Sequence, residues 1–333
     1  MDTGSTPTRA IPRLDTGRDG PVALIGAGLA RLRDIAAAAE DHYGGAGLRI
    51  GDRLSRRWLE KSDNPYRAEI AAVAESLGRP GAYLLNLSYE WTCTTGVGPD
   101  PEGLGMRMLR TLDWPLTGLG RNVVAASHEG PAGPWWNVTW PGFVGVATAM
   151  APGRFAAAIN QPPMRRLTPS CWLDWALTRF PLWRHRALPP VHLLRRVFDD
   201  APTYADAKEM LSQTPLAVPA FFTLAGTKDG EGCVIERSES SAYVRDAPAS
   251  IANHWIRGEG DEAPGGHARG WDSEGRWRMM EEMRDRVPGD FSWVRPPILN
   301  PTTRLAVVAN AAQGTLSVQG FEADGPATAV FRL

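Results

Sequence analysis

The feature that most constrains the fold is an abrupt change of pattern at Gly81. Before it the chain reads as helices: Pro21–Tyr43 has apolar side chains at helical spacing and ends at Gly44-Gly45, and helical stretches follow at Leu48–Lys61 and Pro65–Leu77. After Gly81 most segments read as strands. Because the helices and strands do not alternate as βαβ units, we expect an α+β fold with antiparallel sheets layered against helices.

The strand-like segments are short and are separated by turn residues or helices. Cys93–Val97 and Leu104–Asp113 flank a Gly-Pro-Asp-Pro-Glu-Gly turn, which predicts a hairpin. Residues 1–20, rich in Thr, Gly, Pro, Asp and Arg, are expected to form a flexible tail. Further strands are predicted at Asn122–His128, Pro134–Trp140, Phe143–Met150, Arg154–Asn160, Val218–Ala225, Gly232–Arg237, Ser241–Arg245, Ser250–Trp255, Arg304–Ala311, Thr315–Gln319 and Ala327–Arg332, and helices at Tyr204–Gln213, Asp272–Arg286 and within a Trp- and Arg-rich insertion at about 167–213.

Composition excludes several classes of function. The chain has 333 residues, 43% of them hydrophobic and 22% charged, with a net charge of −1, so it is globular and has no electrostatic reason to bind nucleic acid. The three cysteines form no CxxC pair and the six histidines are scattered, so we expect neither a disulfide framework nor a metal site. Gly26-Ala-Gly28 mimics a dinucleotide fingerprint without the preceding strand, so no cofactor is expected.

The start of the chain does not read as a secretion signal. Pro21–Ala30 is apolar, but Asp15 and Asp19 precede it and the helical pattern continues through Arg31 and Arg33. No apolar run reaches the roughly 18 to 20 residues of a membrane helix. We therefore expect a cytoplasmic protein.

Cys93 is the candidate nucleophile. Arg110 and Asp113 lie one hairpin later, where the second strand returns beside the first. An adjacent guanidinium lowers a thiol pKa, and a carboxylate can hold an ammonium group. Because positions 110 and 113 differ in parity, the second strand must end or bulge there for both side chains to serve one site.

A set of sequence blocks resembles the acid ceramidase and N-acylethanolamine acid amidase branch of the choloylglycine hydrolase superfamily, which are N-terminal nucleophile hydrolases. Asn86–Thr95 looks like their cleavage junction, and Arg110-Thr-Leu-Asp113-Trp114 looks like their Arg-x-x-Asp-aromatic motif. Pro141–Asn160 is similar to their long strand pair. The other similar blocks are Gly226–Arg237, Ala252–Trp255 and Ser273-Glu-Gly-Arg276.

The resemblance implies a four-layer αββα sandwich that cuts itself between Thr92 and Cys93. A helical N-terminal segment, 21–92, would remain bound as one fragment to a catalytic domain, 93–333. Cys93 would then act through its own α-amino group. The resemblance gives the catalytic residues as Cys93, Arg110, Asp113, Asn160, Asn253 and Arg276, with Asp113 holding the amine, the two asparagines stabilising the oxyanion and Arg269 as the alternative to Arg276.

The substrate implied is an N-acyl amide with a hydrophobic acyl chain: a ceramide, an N-acylethanolamine or an N-acyl amino acid. Trp114, Trp136, Trp140 and Phe143 are the candidate acyl-binding side chains, and the Trp- and Arg-rich insertion suggests peripheral contact with a lipid surface. Two alternatives remain open: an acyltransferase that uses the same acyl-enzyme, and a lipid-binding or regulatory relative that never cuts.

Overall fold

The first part of the chain is helical, as the sequence predicts. The computed structural model describes residues 9–88, 91–170, 173–174, 177, 186–256 and 266–333. Gly44 (φ 70°) separates the first two helices, and Gly78 (φ 66°) ends the third in the left-handed region that favours glycine. The helices are α1 (Ala23–Tyr43), α2 (Gly45–Lys61), α3 (Arg67–Leu77), α4 (Ala82–Leu87), α5 (Leu119–Asn122), α6 (Pro190–Asp200), α7 (Tyr204–Gln213) and α8 (Ser273–Met283).

Two sheets dominate the rest of the described chain. The first has the strand order β1-β4-β5-β6-β7-β9-β10-β11, and the second has β12-β2-β3-β14-β15-β16 with β17 also paired to β15. A separate pair joins β8 to β13. The strands are β1 (Arg13–Asp15), β2 (Thr92–Pro99), β3 (Met106–Asp113), β4 (Val124–Gly130), β5 (Gly133–Thr139), β6 (Thr148–Ala151), β7 (Phe155–Asn160), β8 (Met164–Arg165), β9 (Ala220–Ala225), β10 (Gly232–Arg237), β11 (Ala242–Asp246), β12 (Ala249–Ile251), β13 (Gly266–His267), β14 (Thr303–Asn310), β15 (Thr315–Glu322), β16 (Gly325–Pro326) and β17 (Phe331–Arg332).

The sheets and helices stack as the predicted αββα sandwich. Strands β2 and β3 of the second sheet pack against β7 and β9 of the first. Helices α6 and α7 contact the first sheet, and α8 contacts β2 and β12 of the second. The strands between these layers are almost continuously buried, which fits sheets covered on both faces.

Two parts of the predicted organisation need correction. The expected flexible tail is wrong over Arg13–Asp15, because this strand pairs in parallel with Ala125–Ser127 of β4. Its composition hid the strand, since three paired residues are too few to leave a periodic signal. Within the expected insertion, α6 and α7 form an outer layer of the sandwich itself. Cys171, Trp172, Trp175, Trp183, residues 1–8 and most of 257–270 lie outside the described residues.

β3 ends at Asp113, which is one of the two outcomes expected there, and it does not bulge. Its pairing with β2 is regular to Thr92–Asp113, and the extra residue in its pairing with β14 is Arg304 of β14. In the pairing with β2, Thr95 lies opposite Arg110 and Thr92 lies opposite Asp113. The two charged side chains therefore leave opposite faces of the same strand.

Candidate active site

Cys93 lies at the start of β2, a strand with neighbours on both sides. Its side chain is fully buried, and Thr92 before it is 8% exposed. Arg110 donates from Nη2 to Cys93 Sγ at 3.1 Å. Burial raises the pKa of the Cys93 thiol to about 11, while the charge of Arg110 acts to lower it. The sulfur is therefore protonated near neutral pH, beside a cation that favours thiolate formation.

Arg110 is placed by register. It lies opposite Thr95, two residues beyond Cys93 on the same face, so it reaches the sulfur diagonally across the hairpin. Its Nη1 donates to Ile159 O at 2.8 Å, which ties the guanidinium to β7 of the facing sheet. Burial lowers the pKa of Arg110, but the group has an ordinary value so high that it stays charged.

Arg276 approaches the same peptide from the helical layer. Its Nη1 donates to Cys93 O and Thr94 Oγ1, both at 2.8 Å, and its Nη2 donates to Asn253 Oδ1 at 2.9 Å. The helix that carries it begins after Asp272, a non-glycine residue in the left-handed region (φ 34°) whose carboxylate accepts from Gly275 N at 2.9 Å. The structure thus favours Arg276 as the second site arginine.

Asn253 contacts the junction directly. Cys93 N donates to Asn253 Oδ1 at 3.0 Å, and Asn253 Nδ2 donates to Gln161 O at 2.8 Å. Asn253 N donates to Ser273 Oγ at 2.8 Å, which fixes the loop to the start of α8. Among the described residues only one of the two amide hydrogens of Asn253 has an acceptor, so the other is available to a ligand.

Asp113 lies on the opposite face from the sulfur. It accepts from Asn300 Nδ2 at 3.1 Å and Thr303 Oγ1 at 2.9 Å, and its Oδ2 lies 3.6 Å from Arg276 Nη1. Burial raises the pKa of Asp113, and Arg276 acts against that rise. The backbone nitrogen of Cys93 donates to Asn253, and the expected role of Asp113, which is to hold a free α-amino group on Cys93, stays a prediction.

Asn160 is close to the site but its donors are occupied. Its Nδ2 donates to Ile251 O at 3.2 Å and Ala252 O at 3.1 Å, and its Oδ1 accepts from Thr95 Oγ1 at 2.6 Å. In this arrangement Asn160 positions the loop before Asn253 and has no amide hydrogen left for an oxyanion. The expected oxyanion role of Asn160 does not fit these contacts.

Sequence reasoning missed several residues that build the site. Their side chains hold the functional groups in place: Thr94 and Thr95 on β2, Ser273 on α8, and Asn300 and Thr303 before and within β14. Ser273 was visible only as part of the Ser-x-x-Arg pattern. The hydroxyl and amide residues carried no signal of their own, because Thr, Ser and Asn are common in turns and strands.

An aromatic cluster lies next to the junction. Trp91 packs on Trp114 with ring centres 5.3 Å apart and on Phe143 at 6.3 Å, and Trp140 lies 6.5 Å from Phe143. Beside it is a partly open cavity of about 30 Å³ that is mostly apolar and is lined by residues from both sides of Thr92 in the sequence. The lining residues are Leu32, Ile35, Ala82, Leu85, Asn86, Trp114, Leu116, Leu119, Trp140, Pro141, Gly142 and Phe143.

Trp136 does not line this cavity, unlike Trp114, Trp140 and Phe143. Arg13 lies over its ring at 4.7 Å, and Phe331 lies 6.3 Å away. Trp136 is within β5, whereas Trp140 is beyond its end, and four extended residues separate two side chains by about 13 Å.

Within the described ranges, no three His, Cys, Asp or Glu side chains cluster in a way that could bind a metal ion. Nor does any helix of those ranges have the length and apolar character needed to cross a membrane.

Comparison with known proteins confirms the resemblance seen in the sequence. The chain is similar to acid ceramidases. It is 32% identical to acid ceramidase of Heterocephalus glaber over 204 residues, which are 55% of this chain and 50% of the relative. It is 28% identical to N-acylethanolamine-hydrolyzing acid amidase of Oryctolagus cuniculus over 193 residues, 56% of this chain and 50% of the relative. No family model matches.

A solved structure supports the fold. The N-acylethanolamine-hydrolyzing acid amidase ortholog of Caenorhabditis elegans superimposes with a TM-score of 0.50 at 20% identity, covering 72% of this chain and all of that one. The chain spans about half the length of the curated relatives it matches. The likeness therefore establishes an α+β sandwich similar to those of acid amidases.

Proposed function

We propose that the chain cuts itself between Thr92 and Cys93 and then hydrolyses N-acyl amides through a thioester on Cys93. One arrangement carries the proposal: the Cys93 sulfur, nitrogen and carbonyl oxygen each have a separate buried partner, in Arg110, Asn253 and Arg276. A buried structural cysteine needs partners for its backbone N–H and C=O, but it needs no guanidinium at its sulfur. The relatives' names, which describe ceramide and acylethanolamine hydrolysis, support the same reaction class.

The cut begins with attack of the Cys93 sulfur on the Thr92 carbonyl carbon. A carbon–sulfur bond forms, the carbon–nitrogen bond breaks, and the thiol proton moves to the departing nitrogen of Cys93. Water then hydrolyses the thioester, which leaves a carboxylate on Thr92 and a free thiol and amine on Cys93. Asn253 Oδ1 is placed to accept a hydrogen from that amine as it forms.

Turnover repeats the chemistry on a substrate. An α-amine has an ordinary pKa near 8, so the free amine of Cys93 can take the thiol proton without a histidine. The sulfur attacks the substrate carbonyl, the amine product leaves with that proton, and water releases the acid. The second amide hydrogen of Asn253 and the guanidinium of Arg110 are the donors that we propose for the developing oxyanion. One such donor is often worth about 3 to 4 kcal/mol.

The acyl half of the substrate fits the aromatic cluster. Trp91 precedes the cut and packs on Trp114 and Phe143, so the cluster reaches the reacting carbonyl. Apolar lining and aromatic side chains favour a hydrocarbon chain over a sugar or a peptide. The cavity of about 30 Å³ is too small for such a chain in the uncut protein, so movement of the segment that ends at Thr92 would have to enlarge it.

The two fragments would stay associated. Glu69 of α3 receives two hydrogen bonds from Arg195 of α6, at 2.7 and 3.0 Å, and β1 pairs with β4. Asn64 bonds the buried His192 at 2.7 Å. These contacts join residues on either side of the cut and are independent of the Thr92–Cys93 bond.

A lipid surface would be met beside β8 and β13. Leu167, Leu173 and Trp271 are 55%, 50% and 64% exposed, and Arg165 and Arg166, which precede Leu167 in the chain, are also exposed. Exposed apolar side chains with neighbouring cations favour an anionic bilayer. Flotation with phosphatidylserine vesicles tests this contact, and a protein that stays at the bottom of the gradient with and without the vesicles refutes it.

The decisive experiment is the intact mass of the purified protein with analysis of each fragment's first residue. We expect two pieces that co-elute in gel filtration, one beginning Cys93-Thr94-Thr95. Cys93→Ala should remain one chain without amidase activity, whereas Cys233→Ala, the matched change at another buried cysteine, should still cut. The proposal is refuted if the Cys93→Ala variant still cuts itself or still hydrolyses an N-acyl amide.

A further inference from the structure

Gly270 packs against the side chain of Thr92, the residue before the proposed cut. A Cβ atom added at Gly270 would lie 2.7 Å from Oγ1, 2.8 Å from Cγ2 and 2.9 Å from Cβ of Thr92. Carbon atoms in contact are ordinarily about 3.5 to 4.0 Å apart, so that Cβ would come too close to Thr92 by about 0.6 Å or more. Gly270 also has φ 68°, in the left-handed region that favours glycine. This close approach to Thr92 therefore requires a glycine at position 270.

The segment that carries Gly270, residues 266–272, is held on both sides of that glycine. Before it, β13 pairs with β8, and His267 Nε2 lies 2.7 Å from Asp174 Oδ2. After it, Trp271 O accepts from Arg276 Nε at 2.6 Å. Because the segment is fixed at these points, at least part of the displacement caused by an added side chain would fall on Thr92.

Cys93 has contacts of its own and would not follow a shift of Thr92. Its sulfur accepts from Arg110 at 3.1 Å, its nitrogen donates to Asn253 at 3.0 Å, and its carbonyl oxygen accepts from Arg276 at 2.8 Å. A displaced Thr92 would therefore present its carbonyl carbon to the attacking sulfur in a different orientation. Misplacement of reacting groups by about 1 Å can slow a reaction about a hundredfold.

We infer that Gly270 is a positioning residue for the self-cut. Because it has no side chain, segment 266–272 can close on Thr92 and hold the Thr92 carbonyl beside the Cys93 sulfur. The inference rests on the self-cut proposed above. Gly270 acts through the side chain of Thr92 and not on the reacting atoms themselves.

The test measures how fast full-length chains cut themselves after cell-free synthesis is stopped, as the loss of the uncut mass with time. Gly270→Ala should cut about ten- to a hundredfold more slowly than the wild type. Gly153→Ala is the matched control. Gly153 is exposed and has φ 74°, but within the described residues a Cβ there would have no non-neighbouring atom within 4 Å. This control should cut within about twofold of the wild-type rate.

Two further variants separate the contact with Thr92 from strain in the backbone. Thr92→Gly removes the three atoms that the added Cβ would meet, so Gly270→Ala combined with Thr92→Gly should cut within about twofold of Thr92→Gly alone. Asparagine tolerates the left-handed region better than alanine does, but it carries the same Cβ. Gly270→Asn should therefore slow the cut at least as much as Gly270→Ala.

Cutting of Gly270→Ala at the wild-type rate or faster would overturn the inference. So would a double variant slower than Thr92→Gly, or a Gly270→Asn variant faster than Gly270→Ala, because each would assign the effect to strain at φ 68°. If Thr92→Gly alone does not cut, the comparison of Gly270→Asn with Gly270→Ala decides. All these results leave the proposed function standing, since the wild type still cuts. If the wild-type chain does not cut, the proposed function and this inference fail together.

Discussion

Replacing His192 with glutamine should remove a specific part of the acid sensitivity of the fold. His192 is fully buried on α6, Asn64 Nδ2 donates to its Nδ1 at 2.7 Å, and its Nε2 has no partner within the described residues. Asn64 Oδ1 accepts from Tyr66 N, which fixes the orientation of the amide and makes His192 Nδ1 the acceptor. The imidazole is therefore held neutral.

Burial lowers the pKa of His192 to about 3, and the nearby Arg195 acts in the same direction. The unfolded chain takes up this proton near pH 6.5, so folding stability is complete above that value and falls as the pH drops toward 3. At pH 5 the loss is about 1.5 pH units at 1.36 kcal/mol each, or about 2 kcal/mol. His192→Gln cannot take up the proton and should not show this loss.

The assay is urea unfolding followed by tryptophan fluorescence at pH 8 and pH 5, in the Cys93→Ala background so that one uncut chain unfolds. The fall in unfolding free energy between the two pH values should be about 2 kcal/mol smaller for His192→Gln than for its parent. His42→Gln, the same change at an exposed histidine, should behave as the parent does. Equal pH dependence in parent and His192→Gln would refute the assignment of a neutral buried imidazole.

Arg276→Met should prevent the cut and lower the unfolding free energy by about 3 to 5 kcal/mol, because it leaves Asp113 buried beside an apolar side chain. Urea unfolding measures this free energy, with the exposed Arg286→Met as control, and an active, cut variant would contradict the prediction. Glu69→Gln should weaken the ion pair with Arg195, so the fragments of the cut protein should separate at a lower urea concentration than in the wild type, as measured by gel filtration. Separation at the same urea concentration would show that other contacts hold the fragments together. Ala82→Leu should overfill the cavity of about 30 Å³ and lower the unfolding free energy by about 1 to 3 kcal/mol. It should also raise the KM of a long-chain amide more than that of a butyryl amide, and equal changes in both KM values would show that the acyl chain binds elsewhere.

The sequence predicted the layers well because their signals are local. The Gly81 change of pattern, the hairpin turn and the helical spacing of Tyr204–Gln213 each depend on neighbours in the chain. The same holds for the end of β3 at Asp113, which was expected from the parity of Arg110 and Asp113. The resemblance then supplied the distant members, and Arg110, Asn253 and Arg276 do surround Cys93.

The sequence could not predict which hydrogen-bond partner each polar side chain has. Asn160 and Asn253 are the same residue type, yet within the described residues Asn160 donates both amide hydrogens to backbone carbonyls and Asn253 donates one. Trp136 and Trp140 lie four residues apart, and only the second reaches the cavity. Such differences depend on where each strand ends and on which loop packs against it, and neither produces a periodic pattern in the sequence.

The parallel pairing of Arg13–Asp15 with β4 has a consequence for how the mature protein must be made. After a cut at Thr92, the outermost strand of the larger sheet would belong to a different polypeptide from its neighbour. A gene shortened to begin at Cys93 would produce a protein in which the backbone N–H and C=O groups along that edge of β4 are unpaired. Unpaired edge strands can pair with strands of other molecules. The N-terminal fragment would therefore protect the part that begins at Cys93 from aggregation.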